Sequence, residues 1–326
     1  MTLDYDIPLD TFRQARARIA PYTRHTPVAP WPLLHKDAPP GLRLKLENLQ
    51  VVGSFKPRGV CNHMRQLAPE QRKAGVVAAS AGNHGLAVAY VARQLGIPAI
   101  IYLPQSASAD RVARIQAWGA VVVQYGESYE DAHKLALEHA ESEKLTYVHS
   151  FDSEATLAGH GTLSLELLED VPEMDCLLVA VGGGGLISGV ACALKKLNPQ
   201  IKIIGVEPVG APSMYQSVRA GHLINLPEAK TIADTLATRS VVERTLVLTQ
   251  RYVDEIVLVS DAQIAAATRW LWAECNQLVE PSGAAALAAI LYGAADMTPF
   301  QHPVALICGG NAPAESILHG YETISR

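Results

Sequence analysis

An α/β fold built on two open parallel sheets is what this sequence predicts, and three observations predict it. Of the 326 residues 49% are hydrophobic and 6% aromatic, so small and β-branched side chains fill the interior, as in sheets buried on both faces. Short β-branched runs alternate with longer stretches whose apolar residues fall at helical spacing. These runs form two separate series, more than one parallel βαβ unit needs.

Early in the chain, "LRLKLENLQ" (42–50) reads as a strand and "PRGVCNHMRQLA" (57–68) as a helix entered through proline. The first series of strands is then "GVVAAS" (75–80), "PAIIYLP" (98–104), "AVVVQYG" (120–126) and "TYVHS" (146–150). The helical stretches "NHGLAVAYVARQLG", "SADRVARIQAWG" and "SYEDAHKLALEHAESEK" separate them. The second series is "DCLLVAVGGGG", "IKIIGVEP", "EIVLVSD" and "HPVALICGG", again with helices between. Ser260 or Asp261 is the N-cap of the helix in "VSDAQIAAATRWLW". If Lys56 faces the later glycine run, the N-terminus belongs with the C-terminal half. Residues 1–74 and 148–326 then make a large domain, and 75–147 a small inserted one.

Bulk properties exclude several functions. The net charge of -5 gives no basic footprint for nucleic acid. No apolar run reaches the length of a membrane span, and "MTLDYDIPLD" carries no secretory signal. Cys61, Cys176, Cys192, Cys275 and Cys308 are scattered, odd in number and without a CxxC pair, and read as reduced thiols. No HExxH or His/Cys cluster suggests zinc. A soluble, cytoplasmic protein is expected.

Five stretches carry chemistry. In "VVGSFKPRGV" (51–60), Lys56 stands between Phe55 and Pro57 with Gly53 and Gly59 on either side; read alone, it is a solvated lysine at a helix N-terminus. "VAVGGGGLISG" (179–189) puts Gly182, Gly183, Gly184 and Gly185 between a strand and a helix, where converging amides and the helix field suit a phosphate. A tight turn is the plain alternative. The dinucleotide pattern G-x-G-x-x-G fails here because Leu186 and Ser188 fall where glycine is required, and no Walker lysine follows. "SAGNHG" (80–85) offers backbone and amide donors to a carboxylate, or is merely a cap. "VEPSGAAALAA" (279–289) sets Glu280 before an alanine-rich helix, either seeking a partner or solvated at the helix N-terminus. "ALICGGN" (305–311) ends a buried strand at Cys308. Together, an amine, a one-phosphate cradle, a carboxylate turn and a non-acidic strand end suit pyridoxal 5′-phosphate held as an imine and accepting an amino acid.

In their order, "GSFKPRG", "SAGNHG", "GGGGLISG", "GVEP", "EPSGAAAL" and "CGGN" resemble the fold-type II pyridoxal-phosphate enzymes, within them the serine/threonine dehydratase and serine racemase group. The resemblance spans nearly the whole chain and implies a role for each stretch. Lys56 forms the imine with the cofactor, and Phe55 supports its ring. Gly182, Gly183, Gly184 and Gly185, with Leu186, bind the phosphate. Asn83 bonds the cofactor's 3′ oxygen, and Ser80, Ala81, Gly82, Asn83 and His84 hold the substrate carboxylate. Cys308 faces the pyridine nitrogen where many relatives have serine, and Glu280 lies near the ring and the departing group. Where racemases of this group carry an acid/base serine opposite the lysine, this chain has Ala81. Elimination from a 3-hydroxy amino acid of serine or threonine type is therefore expected, phenylserine and 3-hydroxyaspartate remaining open. Racemase, β-replacement synthase and non-catalytic binding protein are the alternatives.

Departures from the group's pattern accompany the matches. Gly85 and Leu86 follow where glutamine is common, and Thr235 replaces a glycine in "TIADTLATRS". At the group's divalent-cation site Glu207 and Ala211 match, but Ser213 replaces the acid, so magnesium, a monovalent ion or none is expected. The sequence ends at Arg326, so isoleucine feedback through a C-terminal module is not expected. The resemblance implies a homodimer.

Overall fold

The structure, a computed structural model, describes residues 4–30, 39, 41–80 and 82–311. In chain order its strands are Val28–Pro30 (β1), Arg43–Leu46 (β2), Val76–Ala79 (β3), Ala99–Leu103 (β4), Val121–Gln124 (β5), Thr146–Tyr147 (β6), Cys176–Ala180 (β7), Lys202–Pro208 (β8), Glu255–Val259 (β9) and Pro303–Ile307 (β10). They form a six-stranded sheet ordered β1-β2-β10-β7-β8-β9 and a four-stranded sheet ordered β5-β4-β3-β6. All pairings are parallel except β1 with β2. Among the named strands of the described residues, that antiparallel pair departs from a purely parallel reading. Pro30, which cannot donate to a ladder, sits in edge strand β1.

The strands are shorter than the runs that suggested them. The 42–50 stretch leaves the sheet after Leu46 and turns into a 3₁₀ segment, Glu47–Leu49. The helix expected over 57–68 is Lys56–Met64 and stops short. A separate helix, Pro69–Ala74, follows, and Pro69 holds Ala68 in extended backbone (ψ 156°), so the two do not join. Ser260 is the N-cap of Asp261–Cys275, accepting from the Gln263 amide. No helix among the described residues is long and apolar enough to cross a membrane.

A buried ionic knot holds the lysine-bearing helix. The Arg58 guanidinium grips Glu47 through Nε and Nη2, both at 2.8 Å, and Glu166 through Nη1 and Nη2 at 2.6 and 2.9 Å. Lys45 Nζ lies 2.9 Å from Glu166 and donates to the Thr26 carbonyl at 2.7 Å. Thr26 Oγ1 donates to Glu47. Arg58, Lys45 and Glu47 are wholly buried. Such a set survives burial because each charge has its counter-charge and its hydrogen bonds. It ties β2, the Lys56–Met64 helix and the Glu154–Asp170 helix into one block.

The sequence motifs collect at strand ends. β3 runs into Ser80, β7 into the four glycines, and β10 into Cys308 and Gly309, while Glu207 lies near the end of β8. The carboxyl ends of parallel strands are where such sheets present their sites.

Candidate active site

Phe55 and Lys56 are placed by the end of β10. Ser54 bridges to Gly309, and the Phe55 amide donates to the Cys308 carbonyl at 3.1 Å. Lys56 Nζ then reaches back to the Ser150 carbonyl at 3.3 Å and lies 5.0 Å from the Phe55 ring centre. Burial disfavours its charge, and the neighbouring Cys308 and Glu280 offset this only in part, so its pKa falls to about 8.

Two routes connect the amine to the glycine run. Phe151, next to Ser150, packs on Gly183 and Gly185: a Cβ on Gly183 would strike its ring, and one on Gly185 would come 2.6 Å from its Cβ. His160 stacks edge-on to Phe55 with ring centres 4.9 Å apart, and its Nδ1 donates to the Gly185 carbonyl at 3.3 Å. Gly184 has φ 84°, a left-handed turn that lets the chain enter the Gly185–Leu197 helix. Leu186 is the second residue of that helix and is buried. The amine and the glycine turn at a helix N-terminus are thus joined through Phe151 on one side and through Phe55 and His160 on the other.

Glu280 and Asn83 meet from opposite sheets. Asn83 Nδ2 donates to Glu280 Oε1 at 2.6 Å. Glu280 is 3% exposed, so it is no solvated helix-end acid. Burial, reinforced by Asp234, raises its pKa to about 7 against the Asn83 hydrogen bond. Cys308 donates from Sγ to the Ser282 carbonyl at 3.5 Å, and burial pushes its thiol well above the ordinary range, so it is neutral.

In the 80–84 turn, Ser80 Oγ accepts from the Gly82 amide at 3.2 Å. His84 donates from Nε2 to the Val148 carbonyl at 2.7 Å, leaving Nδ1 buried and unpartnered. Burial, with the Lys56 charge nearby, drops its pKa to about 3. Ala81 lies outside the described residues. Thr235 aims its methyl at Gly82, 3.4 Å from where a Cβ would stand, and donates to Ser282 Oγ at 2.6 Å.

Glu207, Ala211 and Ser213, the residues of the expected cation site, lie at the end of β8 and in the turn that follows. Glu207 accepts from the Met214 and Tyr215 amides at 2.9 and 2.6 Å, and burial raises its pKa to about 8. Ala211 and Ser213 are buried beside it, and Ser213 Oγ has no partner. Among the described residues no three His, Cys, Asp or Glu side chains group to hold a metal.

Sequence reasoning gave no role to Ser150, Phe151, His160, Arg114 or Asn311. Asn311 stood in the quoted "CGGN"; the others carry no local signal, because only the folded chain brings them to the cleft.

The donor set suits a pyridoxal phosphate: an amine, a backbone cradle at a helix N-terminus and a neutral thiol are what its aldehyde carbon, phosphate and ring nitrogen would need. The unpartnered Nδ1 of His84 lies buried near the amine, as beside a polar guest, whereas the Nε2 of His160 packs against Gly59. Comparisons with known proteins agree. The family model "Pyridoxal-phosphate dependent enzyme" matches residues 19–309. The L-threonine ammonia-lyase of Thermotoga maritima is 39% identical over 285 residues, 87% of this chain and 71% of that one. The serine racemase of Oryza sativa subsp. indica is 40% identical over 287 residues, 88% of this chain and 84% of that one. Maize serine racemase superposes with a TM-score of 0.92 at 36% identity, covering 98% of each chain. In sequence, fold and cleft alike, this chain belongs to the pyridoxal-phosphate dependent enzymes of fold type II, alongside threonine ammonia-lyases and serine racemases.

Proposed function

We propose that this enzyme dehydrates a 3-hydroxy amino acid of serine or threonine type, releasing water, then a 2-oxo acid and ammonia. The observation that carries this reading is the pairing of a Lys56 amine whose pKa is about 8 with an alanine at position 81. An amine near neutrality is an effective base for an α-proton. Ala81 has no proton to return, so the substrate leaves by elimination rather than inversion. His84 and His149, with pKa values lowered by burial to about 3 and 4, are too weakly basic to replace it.

When bound, the cofactor supplies an electron sink conjugated to the substrate's Cα. The chain's residues do the rest. Lys56 takes the Cα proton, the Cβ–O bond breaks, and the departing hydroxyl leaves as water. Glu280, with a pKa of about 7, carries a proton part of the time at neutral pH, and in this reading it shares that proton with the departing oxygen. Gly182, Gly183, Gly184, Gly185 and Leu186 hold the phosphate. Ser80, Gly82 and Asn83 supply donors for the substrate carboxylate, with His84 fixed behind them. The released enamine hydrolyses to the 2-oxo acid and ammonia. In this reading residues 1–74 and 148–326 form the large cofactor-binding domain and 75–147 the small one.

Racemisation is the second reading, favoured by the 40% identity to a serine racemase. A panel of 3-hydroxy amino acids, scored for ammonia and 2-oxo acid and by chiral analysis of remaining substrate, separates the two. Ammonia with unchanged enantiomeric purity is expected. Fast interconversion of serine enantiomers without ammonia would overturn the proposal. Loss of 2-oxo acid on adding sulfide would reassign the enzyme to β-replacement.

A further inference from the structure

Asn83 and Asn311 meet across the cleft, and each amide has one workable orientation. Arg114, on the Ala109–Gln116 helix, donates from Nη2 to Asn311 Oδ1 at 2.6 Å. A guanidinium can only donate, so it claims the oxygen and turns the Asn311 nitrogen inward. Both hydrogens of that nitrogen are then committed, to the Val52 carbonyl at 2.6 Å and to Asn83 Oδ1 at 2.8 Å. With its oxygen taken, Asn83 presents Nδ2 to Glu280 Oε1 at 2.6 Å. Its second hydrogen has no partner among the described residues. Gly53 closes the other side, since a Cβ there would come 2.6 Å from Asn311 Oδ1. The chain has a direction, running from a donor-only group to a carboxylate. Flipping either amide would set N–H against N–H at one junction and oxygen against oxygen at another.

We propose that Arg114 is a positioning residue: through Asn311 it holds the Asn83 amide nitrogen toward Glu280 and the cofactor's 3′ oxygen. The proposal rests on the cofactor-binding role given to Asn83 above. A mere tether between the two sheets would be largely redundant, because the same helix also reaches across through Arg111 to Asp234 at 2.6 Å.

The test is the absorbance of the lysine-linked cofactor in the holoenzyme, where a donor to the 3′ oxygen favours the band of its ionised form. Arg114→Ala is expected to lower the ratio of ionised to neutral band at least twofold at constant pH. Arg114→Lys, still donor-only, is expected to restore most of it. In an Asn311→Ala background, Arg114→Ala is expected to change nothing further. Identical band ratios in wild type and Arg114→Ala would overturn the proposal, as would an equal Arg114 effect with and without Asn311. A wild-type protein lacking the cofactor band altogether would overturn the functional reading itself, and this inference with it.

Discussion

Lys56 and Arg58 are two residues apart at the start of one helix, Arg58 wholly buried and Lys56 half-buried with its amine turned inward, and their fates are opposite. Burial opposes the charge on each. For Arg58, Glu47 and Glu166 outweigh it, and the guanidinium is held charged beyond its ordinary range. Glu47, buried as deeply, is likewise kept ionised because Arg58 and Lys45 outweigh its desolvation. Lys56 has no such partner. Its neighbours are a neutral thiol and a carboxyl with a pKa of about 7, so desolvation wins and the amine moves to about 8. Burial alone therefore does not mark a reactive group in this protein. What marks it is burial without a counter-charge, and the paired set supplies the rigidity that keeps the unpaired one in place.

That contrast can be broken most directly by removing each cation in turn. Lys56→Met should cost at least about 10³-fold in turnover, as loss of both the covalent anchor and the base, and should abolish the cofactor absorbance. It should leave the fold intact, since no ion pair is broken. Arg58→Met should do the reverse first. Glu47 loses its guanidinium and Glu166 keeps only Lys45, and stability measured by urea unfolding should fall by about 3–5 kcal/mol. An Arg58→Met enzyme as stable as wild type, or a Lys56→Met enzyme that unfolds, would erase the distinction.

Only one member of this contrast was legible in the sequence. Lys56 has a marked local setting in Gly53, Phe55 and Pro57, but read alone that stretch gives a solvated lysine; the glycine run and the other motifs, in their order, are what single it out. Arg58 stood in the same quoted stretch without a role. Its partners come from residues 47 and 166, and nothing local tells a buried arginine from a solvated one. The strands were legible because β-branched runs between helical stretches are a short-range pattern, although their ends were not. β2 stops at Leu46, where Glu47 turns away to meet Arg58. The antiparallel β1 is too short, at three residues, to register as a period. Glu280 was legible as an acid in an apolar setting, but its partner Asn83 is 197 residues away.

The smallest effect tests the electrostatic half of the comparison, in protein stripped of cofactor. A folded-state pKa of about 8 for Lys56, against an ordinary 10.5, means that between these values the unfolded chain binds a proton that the folded chain does not. Stability from this group therefore rises with pH across that window, and the penalty is fully present below about 8. For Glu280 the shift is from 4.5 to about 7, and here the folded chain holds the extra proton. Its contribution falls as pH rises from 4.5 to 7, and the penalty is complete above that. Together the two place a minimum between about pH 7 and 8. Lys56→Met should raise stability at pH 7 by up to a few kcal/mol, on the order expected for a shift of this size, and the gap to wild type should close by pH 10.5. Glu280→Gln should instead open its gap between pH 4.5 and 7 and hold it above. Urea midpoints across pH 4 to 11 measure both gaps. Flat differences would mean that neither group is desolvated as its surroundings require, and that the amine's reactivity has another source.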